Sequence, residues 1–263
     1  IMKLILLTLF TSVFVFQATV RQEEKVVPTN FSSFELDEEG NLYAINSQRH
    51  LLKLNSDLDT LFTFNSKVIE VDLVAPQNML KILVFSKSLN SIQFLDKTLS
   101  EASPTINLDD LGNELTKAVG VSRDNNFWIF DAVNQELKKF DKNLSLISSS
   151  GNLINLTNQN WDITSLKEYG NKVFLCDSNK GILEFDFFGS YLRTIKIKPK
   201  GDFQIEGENI LFIRNDSIIV TDLILQDEKK QALDVKNIVD FAYYKQKMFL
   251  LTKEKFYIYR LSF

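Results

Sequence analysis

The sequence predicts an all-β fold, a six-bladed β-propeller of four-stranded antiparallel blades, and three observations lead to it. Apolar runs of four to six residues recur six times, too short for helices and separated by polar turns such as Glu39-Gly40-Asn41, Asn125-Asn126, Gly170-Asn171 and Asn215-Asp216. Each run is answered by another extended segment that stops at Asn55, Asp96, Asp141, Asp186, Asp222 or Arg260, positions spaced by 41, 45, 45, 36 and 38 residues. A repeat of roughly 40 to 50 residues suits one four-stranded blade. The runs are also apolar at successive rather than alternate positions, the mark of a strand covered on both faces, as in a blade held between two neighbours.

Taken in order, the chain opens with Met2-Lys3, an apolar run over residues 4–16, and polar residues from Gln17 onward. This is the layout of a secretory signal, and its apolar stretch is shorter than the roughly 20 residues a membrane-spanning helix needs. Residues 1–20 are therefore expected to be a signal peptide and residues 21–263 the propeller domain. Ile1 before Met2 fits a non-standard bacterial start codon.

Lys25-Val26-Val27, with Pro28 behind it, is expected to be an outer edge strand, where proline is tolerated. The second and third strands of the six blades are expected at Asn41-Leu-Tyr-Ala-Ile45 with Leu51-Leu-Lys-Leu54, Leu80-Lys-Ile-Leu-Val-Phe85 with Ser91-Ile-Gln-Phe-Leu95, and Phe127-Trp-Ile-Phe130 with Glu136-Leu-Lys-Lys-Phe140 in the first half. The second half repeats the pattern at Val173-Phe-Leu-Cys176 with Ile182-Leu-Glu-Phe185, Ile210-Leu-Phe-Ile213 with Ile218-Ile-Val-Thr221, and Met248-Phe-Leu-Leu251 with Phe256-Tyr-Ile-Tyr259. A short helix with an acidic first turn is expected over residues 109–118, between the second and third blades. The sixth unit has no fourth strand of its own. The residue 25–27 segment is expected to pair beside residues 256–261 and remove the exposed edge that an open ring would leave.

Composition narrows the chemistry. A net charge of -4 offers no basic field for nucleic acid. Cys176 is the only cysteine, so an intramolecular disulfide is impossible, and its apolar strand marks it as a small buried hydrophobe. His50 is the only histidine, which leaves a Ser-His-Asp triad or a histidine-rich zinc site hard to assemble.

The candidate site residues are acidic groups at the first strand of several blades, where innermost strands line a central channel: Glu35, Glu70, Asp72, Asp162 and Asp240. If they converge, their oxygens suit Ca²⁺ or another hard divalent cation such as Mg²⁺; if not, they are solvated or bonded to backbone amides. Trp161 stands where a loop enters a first strand and could stack on a ligand at one face of the disc or pack between blades. Arg49 and His50 occupy a turn of the kind used in protein contacts.

Phe34-Glu-Leu-Asp-Glu-Glu-Gly40-Asn-Leu-Tyr-Ala-Ile-Asn46 and Ile182-Leu-Glu-Phe-Asp186-Phe-Phe-Gly189-Ser-Tyr-Leu192-Arg-Thr-Ile195 resemble the Asp-x-x-Gly-Asn-Leu-Tyr-Val repeat of NHL-type and related six-bladed propellers. The resemblance implies the same closed ring. Related six-bladed sugar-lactone hydrolases carry a metal in the channel, which implies one possible activity, hydrolysis of a lactone or ester by metal-activated water. The missing nucleophile, base and metal motifs favour a different expectation: an exported, non-enzymatic scaffold without a cofactor, binding a protein partner or ligand in the bacterial envelope.

Overall fold

The computed structural model describes residues 21–199, 201–225 and 227–261. The expected signal peptide, residues 1–20, lies outside the described residues. Six antiparallel sheets of four strands each account for the fold, five of them in plain sequence order. The inner strands of blades 1 to 6 are Phe31–Leu36, Leu73–Ala75, Thr116–Val121, Ser165–Tyr169, Phe203–Glu206 and Asp240–Tyr244. In blade 6 the outer strand is the N-terminal Arg21–Pro28, antiparallel to Lys255–Leu261, with Val26 opposite Tyr257 and Val27 opposite Phe256. The expected closure by the two ends of the chain is thus observed.

The reason for continuous apolarity is visible in the second strands. In blade 3, Trp128 and Phe130 pack toward blade 4 while Phe127 and Ile129 pack toward blade 2. In blade 1, Tyr43 and Ile45 face blade 2, while Leu42 and Ala44 face blade 6. Successive side chains leave a strand on opposite faces, so a blade with two neighbours needs an apolar residue at every position. Six hydrophobic clusters result, one per blade-to-blade seam, the last joining blade 6 to blade 1.

Turn chemistry sets the spacing. Asp37 Oδ1 accepts from the backbone N–H groups of Glu39 and Asn41, and Gly40 takes φ +86° between them. A Cβ on Gly40 would stand 2.5 Å from the Tyr244 ring of blade 6, so this position needs glycine for conformation and for space.

Two expectations are corrected, and one element is new. The helix predicted over residues 109–118 is a single 3-10 turn, Asp109–Leu111, ended by Gly112 at φ +74°; from Thr116 the chain is already the inner strand of blade 3. The second strand of blade 2 starts at Ile82, and Leu80 is a turn residue with 79% of its surface exposed. An unforeseen five-residue helix, Leu153–Thr157, sits in the connection between blades 3 and 4. It is capped by Asn152, whose side chain accepts from the N–H groups of Ile154 and Asn155.

Candidate functional site: the central channel

The six inner strands surround a cavity of ≈ 1000 Å³. Its two sides differ. The inner strands of blades 2 and 3 line it with Leu73, Val74, Ala75, Val119, Gly120 and Val121. The other four blades contribute Glu35, Lys167, Asp202 and Asp240.

Ser165 and Lys167, two residues apart in blade 4, leave the inner strand on the face opposite Leu166, which packs in the seam with blade 3, and both line the cavity. Blade 4 lies opposite blade 1 in a ring of six, and the Lys167 ammonium crosses the axis to stand 3.2 Å from Glu35 Oε1. The same Nζ is 2.5 Å from Asp202 Oδ2, just before the inner strand of blade 5. Asp240 is held by backbone: Oδ2 accepts from Phe34 N–H at 3.0 Å and Oδ1 from Phe241 N–H at 2.9 Å. Asp202 Oδ1 and Ser165 Oγ are buried with no hydrogen-bond partner among the described residues.

Two carboxyl groups, those of Glu35 and Asp202, thus share one ammonium, and Asp240 acts on it through its charge alone. Burial pushes the Glu35 carboxyl up to about 7; Lys167 opposes the rise and the nearby Asp202 adds to it. Asp240 is raised well above the usual carboxylate range, by burial first and then by Asp202 and Glu35. Burial opposes the charge on Lys167, but Asp202 and Glu35 outweigh it, so the amine holds its proton more tightly than a solvated lysine.

Of the five predicted carboxylates, Glu35 and Asp240 lie together in the channel, and Asp72 stands at its rim, 2.5 Å from Arg49 Nη1 and accepting from Lys87 N–H. Glu70 and Asp162 belong elsewhere. Each precedes the inner strand and points to solvent, Glu70 3.5 Å from Arg49 and Asp162 3.6 Å from Lys117. Among the described residues no group of three or more His, Cys, Asp and Glu is arranged to hold a metal ion. A divalent cation between Glu35 and Asp202 would meet the Lys167 ammonium, so the residues present do not fit the Ca²⁺ or Mg²⁺ site that the resemblance implied.

Trp161 is 2% exposed, packed at the seam of blades 3 and 4, and donates its indole N–H to Thr157 Oγ1 at 2.8 Å. It is core, not a surface for stacking. Arg49 is a surface residue at φ +60° tied to Asp72, and the backbone N–H of His50 donates to Asn46 Oδ1. Cys176 is fully buried in blade 4, its thiol pushed up to about 12 by burial and then by Asp202 and Asp177, which suppresses the thiolate that a nucleophile requires. Lys167, Asp202 and Ser165 were missed. The polar alternation in Ser165-Leu-Lys-Glu-Tyr169 was the available signal for two of them.

No protein-family model matches the sequence, and a search of curated proteins finds no match. Solved structures do resemble the fold. They include virginiamycin B lyase from Staphylococcus aureus, at 9% identity over 90% of this chain and 99% of the other with a TM-score of 0.62. A streptogramin B lyase has 12% identity over 90% of this chain and 98% of the other, TM-score 0.59. The Pan2 WD40 domain from Neurospora crassa has 10% identity over 92% of this chain and 95% of the other, TM-score 0.60. Likeness at such identities concerns the propeller fold alone.

Proposed function

We propose that this chain is an exported, non-enzymatic propeller scaffold whose loop faces bind a protein partner in the bacterial cell envelope. The observation that carries the reading is the state of Lys167. Its ammonium pairs with Asp202 and Glu35, which keep it protonated. A protonated amine cannot accept the proton of a hydroxyl nucleophile. The apolar run over residues 4–16 supports export, and the Asp37 to Tyr43 turn supports an NHL-type ancestry.

The disc faces support partner binding. Leu80 follows an inner strand, and Phe188 and Leu225 follow third strands; inner and third strands run in the same direction, so all three lie on one face. They are 79%, 74% and 78% exposed. Large apolar side chains left in water on one face suit a protein contact. Affinity recovery of the tagged chain from native envelope, followed by mass spectrometry, is expected to return a stoichiometric companion that the Phe188→Glu, Leu225→Glu variant loses. Recovery of the chain alone, or a companion indifferent to the double variant, refutes the reading.

A further inference from the structure

We infer that the chain pairs with a second copy of itself through the outer edge of blade 1, strand Thr60–Phe64, joined antiparallel to its own counterpart across a two-fold axis at Thr63. The contact lies on the rim of the disc, goes beyond partner binding on the loop faces and does not depend on it. An outer strand has a sheet neighbour on one side only, so a row of its N–H and C=O groups faces water and offers a template for another strand. The outer strands of this ring differ in how that edge is guarded. Blade 2 ends in two residues, Ile106–Asn107, and blade 4 has Arg193 at the centre of Tyr191–Ile195. Blade 5 contains Glu228, Lys229 and Lys230, and blade 6 contains Glu24, Lys25 and Pro28. Blade 3 has the four-residue Leu146–Ser149, whose Ser148 Oγ donates to the Phe188 carbonyl in a turn of blade 4. Shortness, charge and proline are ordinary means of blunting an edge.

Thr60–Phe64 has none of them. Its sequence, Thr-Leu-Phe-Thr-Phe, is uncharged, and Thr and Phe are strong strand formers; all but Phe64 are exposed. A bulge at Leu61 opens the strand, as bulges open the outer strands of blades 3 and 4, and Phe62, Thr63 and Phe64 then pair regularly with Lys53, Leu52 and Leu51. Among the described residues no backbone group of residues 60–64 has a hydrogen-bond partner beyond that ladder.

The flanking charges select the occupant and its direction. Asp59 and Lys67, both exposed, stand at equal distances along the chain on either side of Thr63, and Glu70 beyond them is taken up by Arg49. Parallel pairing of two copies would set acid beside acid. Antiparallel pairing about Thr63 brings Asp59 of each copy opposite Lys67 of the other, so the segment is complementary to itself at both ends. The same register sets Phe62 opposite Phe64 and Thr63 opposite Thr63, aromatic and Thr–Thr pairs that stabilise neighbouring strands. A two-fold centred on the outer strand of blade 4 would instead oppose Arg193 to itself.

The test is sedimentation velocity on the intact chain from nanomolar to high-micromolar concentration. A contact through one strand is small and a two-fold contact closes at two copies, so the expected result is a reversible monomer–dimer equilibrium with no larger species. Thr63→Lys sets cation against cation at the axis and is expected to weaken the dimer by roughly tenfold or more, whereas Leu146→Lys on blade 3 should leave it unchanged. Under mild oxidation Thr63→Cys is expected to give a disulfide-linked dimer that reductant reverses, and Leu146→Cys is not; Cys176 is buried and does not interfere. The Phe188→Glu, Leu225→Glu variant should dimerise as the native chain does, which separates this rim from the partner face. A monomer at every concentration overturns the proposal and leaves the edge to an extended segment of another protein. A dimer indifferent to Thr63→Lys, an open-ended series of oligomers, or bridging through Leu146→Cys instead of Thr63→Cys overturns it as well. If Thr63→Lys does not fold, the two cysteine variants decide the matter.

Discussion

Glu35 shows what burial does to one side chain. Its carboxyl, ordinarily near 4.5, is raised to about 7, chiefly by burial, so the folded chain binds a proton there that the unfolded chain has released. The stability this contributes is complete below 4.5 and is lost as pH rises through about 7. Asp240 acts in the same sense. Between about pH 5 and about pH 8 the chain is therefore expected to lose on the order of 1–3 kcal/mol, read as a falling Tm, and Glu35→Gln should flatten the slope. A Tm that rises across that interval contradicts the channel electrostatics. Asp131 behaves oppositely. It is fully buried, and although burial opposes ionisation, hydrogen bonds from Lys138 and Asn134 hold its carboxyl below the usual range. Lys138 Nζ lies 2.6 Å from Asp131 and 2.9 Å from Asn113 Oδ1. Lys138→Met leaves that carboxylate without its cation and is expected to cost about 3–5 kcal/mol, measured as a shift in denaturant midpoint. A loss below about 1 kcal/mol would mean that the pair is not buried as described.

At the scale of elements, four of the six repeat markers, Asn55, Asp96, Asp141 and Asp186, prove to cap one kind of turn. Asp141 Oδ1 accepts from the N–H groups of Asn143 and Ser145, Asp186 Oδ1 from Phe188 and Ser190, and Asn55 Oδ1 from Asp57 and Asp59. The third residue after each of these four turns left-handed: Leu58 at φ +63°, Leu99 at +61°, Leu144 at +65°, Gly189 at +84°. Leucine is a poor residue for that conformation, and packing of Leu58 and Leu144 against the seam clusters compensates for it. Asp141→Ala removes both bonds and is expected to lower stability by about 1–2 kcal/mol; an unchanged unfolding midpoint would show that the turn holds itself. Because such a turn closes within five residues, its signature survives in the sequence, and the blade count could be read from it. Strand ends were legible only where an apolar run met a turn residue, and Leu80 misled because its side chain is apolar yet sits in a turn. The channel was far less legible. Lys167 and Glu35 are 132 positions apart, and their meeting depends on the angular order of blades and on a strand register that shifts by one residue between Phe31 and Ser33. Glu70 and Asp162 failed as candidates for the same reason, each standing outside the strand by a few residues.

Across the whole molecule, stability resides in the seams rather than in the blades. Each second strand spends both faces on neighbours, so a blade removed from the ring would expose two apolar surfaces, and five of the six seams join blades consecutive in sequence. The seam from blade 6 to blade 1 is the exception, because it brings the two ends of the chain together, and strand Arg21–Pro28 secures it. Val27 packs into that cluster, Thr29 N–H donates to Glu254 O at 2.9 Å, and Glu24 pairs with Lys247 at 3.0 Å and Arg260 at 2.8 Å. Deleting residues 21–28 would leave Lys255–Leu261 with an unpaired row of N–H and C=O groups, a template for a second chain. The deleted protein is expected to associate or aggregate and to melt far below the full chain in light scattering and calorimetry. The converse variant, Val26→Cys with Tyr257→Cys, joins residues that face each other across the two strands. An oxidised bridge there restricts nearly the whole unfolded chain, which in the chain-entropy description contributes up to about 5 kcal/mol. A bridge that forms and raises Tm, reversibly with reductant, together with a deletion that disperses the ring, would place the weakest seam at the closure; a monomeric deletion variant with native Tm would move it elsewhere, since the outer strand would then be ornament on a ring held by the other five seams and the blade 6 to blade 1 cluster alone.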